Sequence, residues 1–447
     1  MKPPDPFARS AIFPVFPHMT KAAAIRAVKG FRDVLPDESR RWQAIEDAAV
    51  ATFVRYGFGE IRLPILERTE LFARSLGEST DVVEKEMYTF VDRDETSVTL
   101  RPEATASVVR AYLESGLAQS DPTAQLFYRG PMFRRERPQK GRYRQFYQIG
   151  AEVLGREDAL ADAELLVMLA RLLETVQARG VRLELNSVGD AACRPAYTET
   201  LRAFGRAHLA QLCGDCHRRL ERNPLRLFDC KVETCRAVLA DAPMIVDALC
   251  DPCRTHLAQV RALLDVCGVT YGMNPRLVRG LDYYVRTAFE LVAEGLGAQN
   301  AVGGGGRYDG LVAVLGGPAV AGVGFALGLE RLASVSEVAV DEGGPAAIVL
   351  PLDAGGVAPA LRLATRLRDE GLTVNLEPSG RSLKALLRVA DRRRARLAII
   401  VGEDELQQGR ATVRDLTRHV DRRHALALDA PGPELARSVR AFLETPA

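Results

Sequence analysis

The feature that most constrains this chain is a pair of strand-like segments separated by a short polar turn. The first is QLFYRGPMFRRERP (125–138) and the second is YRQFYQIGAEVLG (143–155). The basic turn RPQKGR joins these apolar, aromatic runs, which is the pattern of a β-hairpin. The sequence therefore predicts antiparallel strand pairing at this point in the chain.

Amphipathic helices alternate with short apolar runs over residues 28–189, which predicts one mixed domain. EIRLPILE (60–67) is predicted to be an edge or interface strand, because Pro64 cannot donate a hydrogen bond to a ladder. One helix is predicted to end near Gly57. Its apolar positions, three or four residues apart, are Trp42, Ile45, Ala49 and Phe53.

The pattern changes at residues 190–270, which are rich in cysteine and arginine and are predicted to form a helical insertion. The first domain resumes over 271–340. There, LVRGLDYYVRTAFELV (277–292) is predicted to be strand-like. It is followed by the glycine-rich GGGGRYDGL and by AGVGFALGLERLASV (321–335), which is predicted to be a helix.

A separate α/β domain is predicted at 345–447, after the linker DEGGP (341–345). Its apolar runs AAIVLPL, LTVNLEP and RLAIIVG alternate with helical stretches, which is typical of βαβ units. Residues 379–423 contain 12 Lys/Arg and 6 Asp/Glu. Such an excess suits a phosphate backbone, although a solvated helix face explains it as well.

Composition places few limits on function: 47% of residues are hydrophobic, 26% are charged and the formal net charge is +2. With so small a charge, any RNA contact must use local basic patches. The sequence has no run of 18 or more apolar residues, so no transmembrane helix is expected. Prolines interrupt the apolar stretches of residues 1–27, so this segment lacks the continuous apolar core of a secretory signal. We expect it to be a flexible tail, with the protein starting at Met1 or at Met19. Without a secretory signal, we expect the protein to be cytoplasmic.

The hairpin carries an unusual concentration of positive charge. Between Arg129 and Arg144 there are seven Lys or Arg residues and one acid, Glu136. One interpretation is a solvated charged face. The other is a phosphate site, because Arg134 and Glu136 would point to the same side of a strand and a fixed guanidinium suits bidentate phosphate binding. The hairpin alone does not decide between them.

Three absences from the sequence narrow the chemistry. It has no G-x-x-x-x-G-K-[ST] phosphate loop, and GGGGRYDG (303–310) does not fit the dinucleotide fingerprint. No histidine lies within 28–190 or 271–335, which excludes a Ser-His or Cys-His mechanism centred there. An arginine-rich site without histidine fits phosphoryl or nucleotidyl transfer, which depends on positioning and charge neutralisation.

Four segments carry a specific resemblance: TLRPEATA (99–106), FRRERPQKGRYRQFYQIGAE (133–152), LVRGLDYY (277–284) and GVGFALGLERL (322–332). They resemble class II aminoacyl-tRNA synthetases and, more narrowly, the histidyl-tRNA synthetase family. GEIRLPILE resembles motif 1, the hairpin motif 2 and GLER motif 3. The resemblance implies an α+β fold with a catalytic domain on an antiparallel sheet, a helical insertion and a C-terminal α/β anticodon-binding domain.

The resemblance also implies the activity and its residues: a homodimer that uses ATP and Mg²⁺ to join histidine to tRNA(His) through histidyl-adenylate. Arg134 and Arg279 would be the catalytic cations at the α-phosphate. The implied histidine-binding residues are Glu103, Ala104, Thr105, Arg134, Gln148, Glu152, Arg279, Tyr283, Tyr284 and Tyr308. The implied ATP-binding residues are Arg134, Glu136, Arg142, Phe146 and Arg331.

The same resemblance divides these sets by role. Phe146 would stack on adenine, and Arg331 would cover the ring and the γ-phosphate. Arg142 would lie near the outer phosphates. At the histidine end, Glu103 with Thr105 and Gln148 would receive the amino and carboxylate groups. The residues that recognise the imidazole would be Glu152, Tyr283 and Tyr284, and Tyr308 would lie near the pocket.

All eight cysteines lie between Cys193 and Cys267. The pairs Cys213-x-x-Cys216 and Cys250-x-x-Cys253 have the spacing of one four-thiolate zinc site, expected to be structural. Plain buried thiols are the alternative, since the gap between the pairs exceeds common zinc-ribbon spacings. Other candidate ligands are Cys230, Cys235, His217 and His256.

Two other functions are alternatives to this one. One is a catalytically silent synthetase paralogue that regulates ATP phosphoribosyltransferase. It would lack the C-terminal domain and have eroded catalytic residues, neither of which this sequence shows. The other is a non-catalytic RNA- or stress-sensing module, which the lack of an attached kinase-like domain disfavours.

Overall fold

The computed structural model describes residues 24–77, 80, 82–137, 141–294, 300–340, 343–417 and 423–444. The chain divides into two compact units, Met1–Ala339 and Val340–Ala447. Most of the expected tail, the centre of the hairpin turn (138–140) and the start of the linker lie outside the described residues. No described helix is long and apolar enough to cross a membrane.

The first unit combines a large sheet, a small sheet and surrounding helices. Its helices are α1 (Pro36–Arg55), α2 (Thr69–Leu76), α3 (Thr105–Glu114), α4 (Leu117–Ser120), α5 (Ala159–Thr175), α6 (Arg194–Ala207), α7 (Gly214–Arg222), α8 (Glu233–Val238), α9 (Asp251–Val266), α10 (Leu311–Val314) and α11 (Leu329–Val335). Its strands are β1 (Gly59–Glu60), β2 (Leu66–Arg68), β3 (Tyr88–Val91), β4 (Ser97–Leu100), β5 (Gln125–Phe133), β6 (Gln145–Leu154), β7 (Val181–Ser187), β8 (Gly272–Met273), β9 (Val285–Ala293), β10 (Ala301–Arg307) and β11 (Gly322–Gly328).

Eight strands form the large sheet, in the order β1-β5-β6-β11-β10-β9-β7-β8. All its pairs are antiparallel except the two at the edges, β1–β5 and β7–β8. The predicted hairpin is confirmed as β5 and β6, with Gln125 opposite Val153 and Phe133 opposite Gln145. The expected α+β class, with the first domain built on a mainly antiparallel sheet, is confirmed.

The predicted helix before the hairpin is also confirmed, as α1. Its periodic apolar residues are buried in the main core, where Phe53 lies 5.2 Å from the ring of Phe127 on β5. At roughly 25 cal/mol per Å² of apolar surface, each such large side chain contributes about 1.5–3 kcal/mol. The helix therefore covers one face of the large sheet.

The single strand predicted for EIRLPILE is wrong. The segment splits into β1, which joins the large sheet, and β2, which belongs to a small sheet of order β2-β4-β3. Between them, the Arg101 guanidinium donates to the carbonyl oxygens of Leu63 and Pro64, at 2.8 and 3.2 Å. A buried side chain thus takes the hydrogen bonds that a ladder would have used, and Pro64 has no N–H to offer.

The helix predicted over 321–335 is only half correct, because residues 322–328 form β11 and only the remainder is α11. The glycines of β11 are needed because neighbouring side chains approach this strand closely. A Cβ atom at Gly324 would lie 1.6 Å from Glu152 Oε2, and one at Gly322 would lie 2.2 Å from the Tyr308 ring.

The strand predicted over 277–292 begins only at Val285. Before it, the side-chain amide of Asn186 donates to the carbonyls of Pro275 and Leu277, at 3.3 and 2.8 Å. The RGLDYY segment is therefore a loop fixed by a side chain rather than by a strand partner. This arrangement leaves its arginine and tyrosines free to face the cavity described below.

The second unit is an α/β domain with one five-stranded sheet, in the order β13-β12-β14-β15-β16. The three apolar runs predicted as strands are confirmed as β12 (Ala347–Pro351), β13 (Val374–Leu376) and β14 (Leu397–Val401), which are parallel. Two antiparallel strands were not predicted, β15 (Arg410–Asp415) and β16 (Arg423–Ala427). The helices are α12 (Val357–Asp369), α13 (Leu383–Arg392), α14 (Glu403–Gln407) and α15 (Gly432–Glu444).

Candidate active site

A cavity of about 460 Å³ opens on the large sheet between the hairpin, the RGLDYY loop and the insertion. All but one of the residues implied for histidine and ATP line it, although they are spread over more than 200 positions of the chain. The exception is Ala104, which is buried directly before the first residue of α3 and does not line the cavity. The sequence-derived set therefore lies at one place in the fold.

One end of the cavity is built around Glu152 on β6, whose side chain is almost completely buried. The hydroxyls of Thr105 and Tyr308 donate to its two carboxyl oxygens, at 2.8 and 2.6 Å. Burial raises the pKa of Glu152 from 4.5 to about 8, against the opposing effect of these two hydrogen bonds. A buried carboxyl group held in one orientation can recognise a ligand by hydrogen bonding to the N–H or O–H groups of its side chain.

Aromatic hydroxyls surround the same end. The rings of Tyr283 and Tyr284 lie 4.6 Å apart, and Tyr308 meets Tyr283 edge-on at 5.8 Å. Burial raises the pKa of Tyr283 and of Tyr308 well above the usual value, so both hydroxyls stay protonated. The pocket walls are thus apolar rings that carry hydrogen-bond donors.

Glu103 lies beside this pocket, at the start of α3. Its carboxylate accepts hydrogen bonds from the backbone N–H groups of Thr105 and Ala106, at 2.8 and 2.9 Å. Burial raises the pKa of Glu103, and these amides oppose the shift. Among the described residues, Gln148 Oε1 is also buried and has no hydrogen-bond partner. The two side chains offer adjacent acceptors for a cationic group.

Arg279 is held at the middle of the cavity. Its Nη1 donates to Glu290 Oε1 at 2.8 Å, and its guanidinium lies 5.6 Å from the Tyr284 ring centroid. A Cβ atom at Gly304 would lie 2.7 Å from that Nη1, so the glycine makes room for the arginine. Within the described part of the chain, Arg279 Nε is buried and has no acceptor, which leaves a directed donor for an anion.

The other end of the cavity is cationic. Arg134 donates from Nε to Pro102 O at 2.8 Å, and its guanidinium lies 5.4 Å from the Phe146 ring. Arg142 pairs with Glu136, and Arg331 donates to the Ala301 carbonyl. Burial lowers the pKa of Arg331, and the charge of Arg142 adds to that shift. This end suits a polyanion beside a flat ring.

Arg134 and Glu136 were expected on one side of a strand. Both lie just beyond Phe133, the last residue of β5, yet both face the cavity. The pairing of the hairpin continues past the strand end, because Arg134 N donates to Arg144 O at 2.9 Å. The solvated-face interpretation does not fit these two residues.

Comparisons with known proteins agree with this geometry. The family model described as Histidyl-tRNA synthetase matches residues 30–332, about two thirds of the chain. The chain belongs to the histidyl-tRNA synthetase family. The model described as Anticodon binding domain matches residues 346–429.

Relatives of the histidyl-tRNA synthetase family match along most of their length. The histidine–tRNA ligase of Geobacter metallireducens is 51% identical over 390 residues, 87% of this chain and 94% of that protein. That of Anaeromyxobacter sp. (strain K) is 51% identical, over 88% of this chain and 95% of its own length. The apo structure of S. aureus histidyl-tRNA synthetase is 34% identical with a TM-score of 0.76, covering 92% of this chain and all of that one.

A structure from Bacillus halodurans, described as an ATP phosphoribosyltransferase regulatory subunit/histidyl-tRNA synthetase, has a TM-score of 0.63 and covers 86% of this chain. It is 19% identical to this chain, so the likeness shows a shared fold alone.

Five charged residues that line the cavity were not predicted from the sequence, and Glu86 is one of them. Glu290 on β9 and Glu330 on α11 line it, and burial raises the pKa of Glu330 to about 7 while Tyr147 N donates to its carboxyl. Arg226 and Asp229 reach it from the insertion and pair with each other at 2.8 Å. Strand alternation could have indicated Glu290, but no local pattern marks the insertion residues.

The prediction that Cys213, Cys216, Cys250 and Cys253 form a single four-thiolate site is wrong. The two CxxC pairs lie in separate groups, one with Cys230 and Cys235 and the other with Asp190 and Cys193. The histidine alternatives are engaged elsewhere: His217 Nε2 lies 2.9 Å from Leu209 O, and His256 Nε2 lies 2.5 Å from Asp162. Spacing along the chain identified the pairs but not their partners.

Glu152→Gln should change how stability depends on pH. Folding raises the pKa of Glu152 from 4.5 to about 8, so the unfolded chain loses this proton at lower pH than the folded chain does. The stability that the protonated group contributes is complete below about pH 4.5 and is lost as the pH rises through about 8. Thermal unfolding of wild type and variant across that range should therefore give a flatter profile for Glu152→Gln. Parallel profiles would contradict the buried-acid assignment; Glu114→Gln, on an exposed helix surface, is the control.

Proposed function

We propose that this chain joins L-histidine to tRNA(His), first forming histidyl-adenylate and pyrophosphate from histidine and ATP, then releasing AMP. The observation that carries the proposal is one cavity with a buried, doubly hydrogen-bonded Glu152 at one end and an arginine cluster at the other. A small side chain that both donates and accepts hydrogen bonds fits the first end. A nucleoside triphosphate fits the second.

The proposed selectivity for histidine depends on its imidazole, which in the neutral form has one donor and one acceptor nitrogen. Glu152 would accept from the N–H, and a tyrosine hydroxyl of the pocket would donate to the other nitrogen. An analogue without these groups leaves buried polar atoms unpaired, and sites of this type discriminate by about 10⁴–10⁵. Glu103 and Gln148 would receive the α-ammonium group, for which both offer acceptors.

In the proposed first step, a histidine carboxylate oxygen attacks the α-phosphorus while the bond to pyrophosphate breaks. Both partners are anions, so the protein must neutralise charge where it increases in the transition state. Arg134 and Arg279 would do this, Arg279 with the Nε donor that has no acceptor within the described chain. The attacking carboxylate is already ionised, so no side chain has to remove a proton.

The rest of the nucleotide would occupy the cationic end. Phe146 would stack on the adenine, Arg331 would cover the ring and the γ-phosphate, and Arg142 with Glu136 would lie near the outer phosphates. When bound, Mg²⁺ would neutralise charge on the pyrophosphate side of the nucleotide. Glu290, a carboxylate that lines the cavity beside Arg279, would hold the ion together with phosphate oxygens.

We also propose roles for the parts of the chain outside the cavity. The catalytic domain is 28–189 with 271–340, the helical insertion is 190–270, and structural zinc in that insertion takes no part in the chemistry. Residues 345–447 bind the anticodon arm, which the exposed basic residues on and after α13 support. We place the enzyme in the cytoplasm, as a homodimer formed through the motif 1 region.

Arg279→Ala tests the proposed chemistry. Wild type should exchange pyrophosphate into ATP with histidine and with none of the other standard amino acids. The exchange rate of the variant should be about 10²–10³-fold lower than that of the wild type, because the interaction strengthens in the transition state. Its affinity for histidine should change much less. The control is Arg182→Ala, an exposed arginine on β7. A near-normal rate in Arg279→Ala would remove this residue from the mechanism.

Removal of the second unit tests the assignment to tRNA. A chain ending at Ala339 keeps every residue assigned to adenylate formation and should still show histidine-dependent pyrophosphate exchange. Its charging of tRNA should fall sharply, and the salt dependence of tRNA binding should weaken as phosphate contacts are lost. Thermal unfolding of the shortened chain checks that it is folded. If a folded chain of this length charges tRNA as well as the full chain, the anticodon assignment is wrong.

A further inference from the structure

Seven of the eight cysteines of this chain lie in two four-residue groups within or beside the insertion. The first group is Cys213, Cys216, Cys230 and Cys235; the second is Asp190, Cys193, Cys250 and Cys253. In each group the four ligand atoms all lie within 4.8 Å of one another. All seven cysteines are free thiols, so disulfide bonds do not explain why they are close together.

The distances in the first group match a tetrahedral zinc site. A Zn–S bond of about 2.3 Å places neighbouring sulfurs about 3.8 Å apart. The Sγ atoms of Cys213 and Cys230 are 3.8 Å apart, whereas a disulfide needs about 2.05 Å. The sulfurs are therefore at the separation of two ligands to one ion.

The second group matches a site with three sulfurs and one oxygen. The Sγ atoms of Cys193 and Cys253 are 3.9 Å apart. Asp190 Oδ1 lies 3.6 Å from Cys193 Sγ and 3.7 Å from Cys250 Sγ. Zinc bonds of about 2.3 Å to sulfur and about 2.1 Å to oxygen predict about 3.6 Å for such a pair.

The local backbone supports thiolate ligands in both groups. Each CxxC pair lies at the N-terminus of a helix, with Cys213 before α7 and Cys250 before α9. There the helix dipole favours negative charge. Cys213 N also donates to Cys235 Sγ at 3.1 Å, and Asp190 N to Cys193 Sγ at 3.4 Å, which are the outer hydrogen bonds that orient metal ligands.

We propose that the chain holds two structural zinc ions: one on Cys213, Cys216, Cys230 and Cys235, and one on Asp190, Cys193, Cys250 and Cys253. Each thiol gives up its proton to solvent when the ion binds, and no oxidation is involved. Tetrahedral sets of sulfur, with or without one oxygen, favour zinc over magnesium or calcium. Neither site belongs to the catalytic chemistry.

The two sites hold different parts of the molecule. Cys230 directly follows Asp229, which lines the active cavity, so the first site fixes the insertion segment at that wall. The second site joins the insertion to the large sheet. Beside it, Arg194 donates to Tyr284 O at 2.5 Å, and Arg286 lies 3.6 Å from the second oxygen of Asp190. Loss of the second ion should therefore disturb the histidine pocket.

Metal analysis of the full chain, purified without chelators, tests the proposal directly. We expect about two zinc ions per chain, and eight reactive thiols once the metal is removed from denatured protein. Zinc X-ray absorption on the wild type should show mainly sulfur at about 2.3 Å with a minor oxygen contribution. These measurements need no turnover, so they are independent of the proposed activity. Zinc-free folded protein, iron in place of zinc, or fewer than eight thiols would overturn the assignment.

Paired variants separate the two sites. Cys213→Ser with Cys216→Ser should retain about one zinc, and Cys250→Ser with Cys253→Ser should also retain about one. Cys267→Ser, the exposed cysteine outside both groups, should retain two. Calorimetry should show weaker histidine binding in the second variant than in the first. If the wild type holds one zinc and that zinc survives the change of Cys250 and Cys253, the second site is overturned; if it survives the change of Cys213 and Cys216, the first site is overturned. Asp190→Asn repeats the test of the second site without removing a thiol.

Discussion

Burial of the Glu152 carboxyl on the large sheet is the constraint on which the rest of the site depends. A carboxyl group removed from water needs polar partners, and Thr105 and Tyr308 supply them from distant parts of the chain. The neighbouring strand has glycine at the paired position, Gly324, because any Cβ there would overlap the carboxyl. The same relation holds one strand further, where Gly304 makes room for Arg279. Glycines in the sheet and charged side chains in the cavity are thus two parts of one arrangement.

Local periodicity was sufficient for the parts of the fold whose pattern lies within one contiguous segment. Helix α1, the β5–β6 hairpin and the three parallel strands of the second unit were predicted in this way. Residues 322–328 were not, because the reason for their glycines is contact with Glu152 and Tyr308 rather than any period of their own. The CxxC pairs were found from spacing, but their partners depend on which helix ends meet in the folded insertion. For the cavity, the family resemblance supplied most of the polar and charged side chains that line it. It missed Arg226 and Asp229 of the insertion and the acids Glu86, Glu290 and Glu330.

The insertion contributes to the site in two physical ways. Its residues Arg226 and Asp229 form part of the cavity wall, so its position affects the space available to substrate. Its first connection to the sheet passes Asp190, whose neighbourhood contacts the backbone of Tyr284 through Arg194. A helical segment of this size with few long-range strand partners gains rigidity from cross-links, and metal ligation at its base would provide them.

Calorimetric titration of Glu152→Gln with histidine and, separately, with ATP tests the central claim most directly. The claim is that this buried carboxyl recognises the imidazole and takes no part in holding the nucleotide. The account predicts that histidine affinity falls by about 10–100-fold, as expected when one partner of a buried hydrogen bond is replaced and the other is left unpaired, while ATP affinity is unchanged. Unchanged histidine affinity, or equal losses for both ligands, would contradict it.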